Sequence, residues 1–213
     1  MRKLVVTTFV SMDGVMQAPG GPEEDTSGGF RYGGWQVPHF EEATGAQVVE
    51  WFEPAEDFLL GRTTYAMFES WWPKAPQEGD PIATALNQKT KHVASRTLTS
   101  VDWNGTARLL EGDVPAAVQK LKEQDGGELQ VHGSAGLIQT LLREDLVDEL
   151  RLMVFPVVIG EGKRLFDDGA VPSAWRLTSS STTPAGTLIA TYERAGDLPT
   201  GEYTLDDGTR PGA

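Results

Sequence analysis

The chain predicts an α/β protein of three layers: a mixed, mostly parallel sheet, helices on both faces, and an antiparallel β-hairpin at the C-terminal end. Three observations carry this. Twice, a short apolar run ends at a glycine and enters a helical segment at once, in Asp57-Phe58-Leu59-Leu60-Gly61-Arg62-Thr63-Thr64-Tyr65 and in Leu129-Gln130-Val131-His132-Gly133-Ser134-Ala135-Gly136-Leu137. Runs of strand length alternate with helical segments up to about residue 160, the pattern of βαβ units. Beyond that point helical spacing stops, and two strand-like runs over 175–182 and 186–192 are joined through Thr183-Pro184-Ala185-Gly186.

In order, the β-branched run at 3–10 is the first strand. Residues 11–36, rich in Gly, Pro and acidic side chains, are a loop long enough to suggest a function. Helical spacing over 39–53 places Phe40, Ala43, Gln47 and Trp51, with Ala46 and Val49, near one side, and Pro54 ends that helix. A strand at 57–60 leads into the first glycine turn and a helix at 62–70, broken by Trp71-Trp72-Pro73. Asp80-Pro81 opens a short helix at 82–88. Strands follow at 91–95 and 107–110. Asp113 is the N-cap, and Pro115 an early residue, of a helix reaching about 124; Gly126-Gly127 stops it. The strand at 128–132 enters the second glycine turn and a helix at 135–143. Residues 148–160 form a long extended run, bent at Pro156. No repeat or internal linker appears, so 1–195 reads as one domain and 196–213 as a polar tail.

The bulk composition excludes several functions. With 213 residues, 39% of them apolar, the chain is long enough to bury a substantial core. The net charge of −13 argues against nucleic acid or an acidic membrane surface as partner. No stretch approaches the ~20 apolar residues of a membrane span, and Asp13-Gly14 closes the early apolar run before it becomes a signal peptide. The absence of cysteine removes disulfides, thiol nucleophiles and Cys-based zinc sites, and fits a reducing cytoplasm. His39, His92 and His132 have no metal-ligand spacing.

The two glycine turns point to phosphate. Glycine lets backbone approach a ligand closely, and the free N–H groups of a helix N-terminus favour an anion. Two such turns suit a ligand with several phosphates, such as a dinucleotide. Gly61-Arg62-Thr63-Thr64 adds two hydroxyls and a guanidinium. Gly133-Ser134-Ala135-Gly136 is not G-x-G-x-x-G but offers small residues for close packing. Ser95-Arg96, at the end of a strand, suits the 2′-phosphate that separates NADPH from NADH, although a lone Ser-Arg pair is also an ordinary loop. Asp13 is a turn residue or a carboxylate at the mouth of the crevice. His39, Glu41, Glu42 and Glu50 are proton-donor candidates if burial raises a pKa; otherwise they form a solvated face. His132 reads as a sheet residue.

The order of these motifs resembles the dihydrofolate-reductase-like superfamily. It is most similar to the reductase domain at the C-terminal part of riboflavin-biosynthesis deaminase–reductases and to free-standing bacterial relatives. The resemblance rests on Phe9-Val10-Ser11-Met12-Asp13-Gly14, Leu60-Gly61-Arg62-Thr63-Thr64-Tyr65, Val93-Ala94-Ser95-Arg96-Thr97-Leu98, Gln130 to Leu137, and Leu146 to Arg151 with Pro156 to Phe166. It implies a dihydrofolate-reductase-like fold with NADPH as hydride donor: Gly61 to Thr64 at phosphates, Ser95 and Arg96 at the adenosine ribose and 2′-phosphate, Gly133 to Leu137 at the pyrophosphate and ribose, Phe9 and Val10 near the nicotinamide. Asp13 is the expected catalytic or substrate-side polar group, with Arg31, Trp35, Lys163 and Arg164 on the substrate side.

The nearest named reaction is reduction of 5-amino-6-(5-phosphoribosylamino)uracil. The family's usual Gly-Gly-Gly or Gly-Gly-Ala is Gly133-Ser134-Ala135 here, and the zinc deaminase half is absent. No Lys or Arg lies between Trp35 and Asp57 to meet a folate tail, so a smaller pyrimidine- or pterin-like substrate ranks above dihydrofolate. A non-catalytic nucleotide- or heterocycle-binding module is the alternative of another class. A homodimer through the 148–160 run and its neighbours is also expected.

Overall fold

The computed structural model describes residues 1–168 and 170–202; most of the expected tail, 203–213, lies outside them. The chain runs through β1 (Leu4–Ser11), α1 (Glu42–Phe52), β2 (Ala55–Gly61), α2 (Arg62–Trp71), α3 (Pro81–Gln88), β3 (Thr90–Ala94) and β4 (Ala107–Leu109). It continues through α4 (Val114–Lys122), β5 (Glu128–His132), α5 (Ala135–Arg143) and β6 (Glu149–Phe155), and then β7 (Trp175–Thr182) and β8 (Leu188–Arg194). All strands join one sheet in the order β4-β3-β2-β5-β1-β6-β8-β7. β1 to β6 are mutually parallel, while β8 is antiparallel to both β6 and β7.

This order fixes the layers. From β1 through β2 and β3 to β4 the chain steps one way across the sheet; from β4 to β5 to β6 it steps back. Right-handed crossovers therefore place α1, α2 and α3 on one face and α4 and α5 on the other. The core divides accordingly. Val48, Trp51, Phe52, Tyr65 and Leu86 pack on Phe58 and Leu60, whereas Val118, Ile138 and Leu141 pack on Leu59, Leu129 and Val131. Alternate residues of β2 thus feed opposite layers, as a doubly covered parallel strand requires. Each fully buried Leu or Ile contributes about 1.5–3 kcal/mol.

Some expectations shift. Val37–His39 form a separate 3-10 turn, so α1 starts at Glu42 rather than 39. Its buried stripe is Thr44, Val48, Trp51 and Phe52, not the side carrying Ala43 and Ala46. Thr44 is buried because its hydroxyl belongs to a capping box with Glu41. The 148–160 run is no free edge: β6 is hydrogen-bonded to β1 on one side and β8 on the other, and the sheet's edge strands are β4 and β7. A second copy has no backbone to pair with in β6. The first residue of the expected tail is tied down, since the Ala174 N–H donates to the Gly196 carbonyl at 2.9 Å.

Charge is also buried. Arg151 of β6 donates to Glu128 at 2.6 and 2.9 Å, to Glu149 at 2.7 Å and to the Trp51 carbonyl at 3.2 Å. The pairing neutralises a side chain that is otherwise costly to bury and pins the last turn of α1 to the sheet. The Lys91 ammonium, wholly buried in β3, donates to the Leu86 carbonyl at 2.7 Å and to Thr106, and lies 4.3 Å from the Trp103 ring centroid. Burial pulls it down to about 8.

Candidate active site

β1, β2, β3, β5 and β6 all end at one edge of the sheet. β5 lies between β2 and β1; the chain leaves β5 toward one face and its two neighbours toward the other. Such a reversal opens a crevice beyond the carboxyl ends of the strands.

The two glycine turns meet there. The Gly61 N–H donates to Ser134 Oγ at 2.8 Å, and that hydroxyl donates to Thr64 Oγ1 at 2.7 Å. A Cβ on Gly61 would stand 2.9 Å from Ser134 Oγ and 3.0 Å from its Cβ, so glycine is required for this approach. Gly133 needs its glycine for another reason, a φ of +72°, and Ser134 is also left-handed at φ 68°. Ala94 pairs with Gly61 across the β2–β3 ladder, which brings Ser95 and Arg96 alongside Arg62. Segments 61–64, 95–96 and 133–137, far apart in the chain, therefore sit on three neighbouring strand ends.

Their polar groups are open. Neither α2 nor α5 has a side-chain cap at its N-terminus, so first-turn N–H groups are left for an anion. Thr63 is exposed beside them, and Gly136 faces open space. Arg62 and Arg96 are exposed. Among the described arginines these two alone make neither a hydrogen bond nor an ion pair; the others are engaged. The Ser95 hydroxyl accepts from the Thr97 and Leu98 N–H groups at 3.2 and 3.0 Å, which shapes the turn and leaves its own proton free to donate. The donor set fits a polyphosphate anion.

The β1–β6 side differs. Phe9 packs edge-on to Phe40 and Phe155, centroids 6.4 and 5.7 Å apart, and Trp35 edge-on to Phe155 at 5.8 Å. Val10 points to the opposite layer and is buried. The Trp35 indole N–H donates to the Gln17 carbonyl at 2.8 Å.

Asp13 accepts from Ser11 Oγ at 2.7 Å, the Ile159 N–H at 3.1 Å and the Gly160 N–H at 2.8 Å, and pairs with Arg164 at 3.4 Å. Burial pushes its pKa upward, but these donors outweigh burial and hold it at about 2. Its carboxylate is a latch between β1 and the 156–165 loop and does not fit a proton donor. Lys163 donates to Asp25 at 2.5 Å and to Ser27 at 2.7 Å, and Arg31 lies 3.7 Å from Glu161 and over the Tyr32 ring.

The remaining candidates are structural or solvated. His132 stacks on Phe52 at 4.4 Å and bonds Gln130 at 2.9 Å; burial first, then Arg151, lowers it to about 3, so it is neutral. Glu41 accepts from the Ala185 N–H and is held below its usual value by Thr183 and that N–H. His39 is half-buried, and Glu42 and Glu50 are exposed. Sequence reasoning missed Glu24, which burial pushes up even though it accepts from the Gly20 N–H at 2.6 Å, and Gln36, whose buried Oε1 has no partner. It also missed, as wall residues, Phe40, which was expected on one side of the first helix, and Phe155, which was visible only as part of an apolar run.

Two clefts lie elsewhere, one of about 500 Å³ between α1 and α3 and one of about 520 Å³ between α1 and the hairpin. Neither contains an open helix N-terminus or an unpaired arginine, so the edge crevice is the stronger candidate. Among the described residues no cluster of His, Asp or Glu is placed to hold a metal ion, and no helix is long and apolar enough to cross a membrane.

Comparisons agree with this geometry. The chain is 26% identical over 200 residues to YyaP of Bacillus subtilis (strain 168), covering 90% of this chain and 94% of that protein. A crystal structure from Shewanella sp. PV-4, provisionally named a riboflavin biosynthesis protein, superposes with a TM-score of 0.69 at 23% identity over 91% of this chain and 99% of the other. Dihydrofolate reductase from Enterococcus faecalis, complexed with NADP(H), gives a TM-score of 0.56 at 12% identity over 90% and 96% of the two chains. The model of the RibD C-terminal domain matches residues 2–189. The chain, dihydrofolate-reductase-like in fold, belongs to the RibD C-terminal domain family.

Proposed function

We propose that this protein is a cytoplasmic, NADPH-dependent reductase of a pyrimidine- or pterin-like substrate. One observation carries the reading: Arg62 and Arg96, the two arginines without partners among the described residues, stand beside two uncapped helix N-termini on adjacent strand ends. In a chain of net charge −13, arginines left unneutralised at one place mark an anion site. Arg96 and Ser95 would hold the 2′-phosphate; Arg62, Thr63 and the open N–H groups of α2 and α5 would hold the other phosphates.

When bound, the cofactor supplies the hydride. This chain's part is placement and exclusion of water. Phe9, Trp35, Phe40 and Phe155 form a dry wall beside the end of β1. Asp13 holds the 156–165 loop against β1, so that wall keeps its shape. In the nearest named reaction, reduction of 5-amino-6-(5-phosphoribosylamino)uracil, hydride would reach the sugar C1 as the ribose opens to a ribityl chain. The balancing proton would come from water.

The test is NADPH oxidation, followed by its absorbance, against aminouracils and pterins. Oxidation with any of them is expected. Tight NADPH binding with no turnover across the panel would favour the second reading, a binding module that kept the fold and lost the chemistry. The spent state of the Asp13 carboxylate is the observation on that side.

A further inference from the structure

The two edges of the sheet are not alike. β4 is three residues long and carries the exposed Arg108 at its centre. β7 is eight residues long, and from 177 to 182 it holds no charge and no proline. Arg176, the one charge on the strand, is spent on Glu193 at 2.6 Å. An edge strand presents a row of unpaired N–H and C=O groups, and natural proteins blunt it with lysine, proline, bulges or short length. β7 has one such device, a bulge between Leu177 and Ser179. Beyond the bulge, residues 179–182 are regularly paired to β8 on one side and neutral.

Both faces of the strand are open as well. Its pairing with β8 puts Ser180 and Thr182 beside Ala190 and Leu188 on the α4/α5 face, and Ser179 and Ser181 beside Thr191 and Ile189 on the α1 face. Every residue of β7 after Trp175 is exposed, so the strand extends past both helix layers. Leu177 is 50% and Leu188 37% exposed. On the α1 face, Ser179 and Ser181 line the cleft of about 520 Å³ between α1 and the hairpin.

We propose that β7 docks a second copy of this chain, whose own β7 pairs with it antiparallel about a two-fold axis normal to the sheet. Residues 179–182 of the two copies lie opposite each other, hydroxyl against hydroxyl, and two eight-stranded sheets become one. Charge selects this occupant. With a net charge of −13, two copies repel each other except across a surface free of carboxylates. Residues 177–182 supply such a surface, and it is its own complement. Four paired residues alone fall short of the roughly 800 Å² per partner of a stable interface. The axis adds to them, because it gathers Leu177 and Leu188 of both copies on the α4/α5 face. On the other face it joins the two α1–hairpin clefts into one trough floored by serines. The assembly closes at two, since β4 is too short and too charged to continue the sheet.

Sedimentation equilibrium over a micromolar concentration series tests this without cofactor, and so independently of the reductase reading. The mass is expected to approach twice the chain's 23.1 kDa. Ser181→Lys is expected to weaken the dimer at least about tenfold, with Ser180→Lys as the second variant should the first fail to fold. Arg108→Ala, at the opposite edge, should leave the dimer unchanged. Amide hydrogen exchange at 179–182 should slow as concentration rises in the wild type and stay fast in the lysine variant. A wild type that keeps the single-chain mass throughout overturns the proposal. So does a dimer that the lysine leaves unmoved, or one whose added protection falls outside the hairpin.

Discussion

The two halves of the sheet's carboxyl edge handle charge in opposite ways. On the β2, β3 and β5 ends, helices α2 and α5 begin without side-chain caps and Arg62 and Arg96 have no partners. On the β1 and β6 ends the next helix, α1, starts with a capping box, Asp13 satisfies two backbone N–H groups, and each nearby cation has its carboxylate. Elsewhere α3 and α4 are capped by Asp80 and Asp113. Caps are thus present at the other three α-helix starts among the described residues. They are missing at the two starts that converge on the crevice. Unspent donors cost a fold stability unless something else binds them, so their distribution marks where an anion is expected.

Arg96→Ala is the largest expected break in this contrast. It should weaken NADPH by about 1.5–3 kcal/mol, roughly 10- to 150-fold, while leaving NADH nearly untouched. Equal losses for both cofactors would mean that the residue lies away from the 2′-phosphate. Gly61→Ala comes next. Its Cβ has no room against Ser134, so about 1–3 kcal/mol of stability should go, with NADPH affinity falling as the two turns part; a melting curve and a titration read both.

Asp80→Ala sharpens the comparison from the capped side. It should cost about 1 kcal/mol of stability and leave NADPH affinity unchanged.

The smallest effect is pH-dependent. Asp13 has a folded pKa of about 2, below its ordinary value of 3.8. Its contribution is therefore present above the unfolded value and disappears as pH falls from about 4 toward 2. His132, lowered to about 3 from 6.5, takes up a proton on unfolding anywhere between those values, so it already erodes stability as pH drops below 6.5. His132→Phe should flatten the upper part of the acid melting profile, and Asp13→Asn the lower part. A His132→Phe profile parallel to wild type between pH 6.5 and 4 would show that the histidine is not buried neutral.

What could be read beforehand divides along the same line. The order of strands and helices was legible because its signals are local. Asp80-Pro81 and Asp113-Val114-Pro115 announce helix starts, and the two strand–glycine–helix turns announce themselves. For the same reason the convergence of the β2, β3 and β5 ends was legible, since turn chemistry and an arginine at a strand end are short-range features. The packing at the β1 and β6 ends was not. Asp13 meets Ile159 and Gly160, Lys163 meets Asp25, and Phe155 meets Trp35 only after the 11–41 and 156–165 loops close on each other. No spacing rule anticipates such pairings. The buried side of α1 was misjudged because Thr44 turns inward to complete a cap, which periodicity counts as polar and exposed.

The Gly61–Ser134 contact makes two motifs, seventy-three positions apart, a single unit of inheritance. A methyl at 61 is harmful with serine opposite, yet with Ser134→Gly in place the crowding goes and the left-handed backbone at 134 is eased as well. The double change should therefore cost less than the sum of its parts. Drift at either position is licensed by the state of the other, so this pair would be lost or kept together as the chain diversifies.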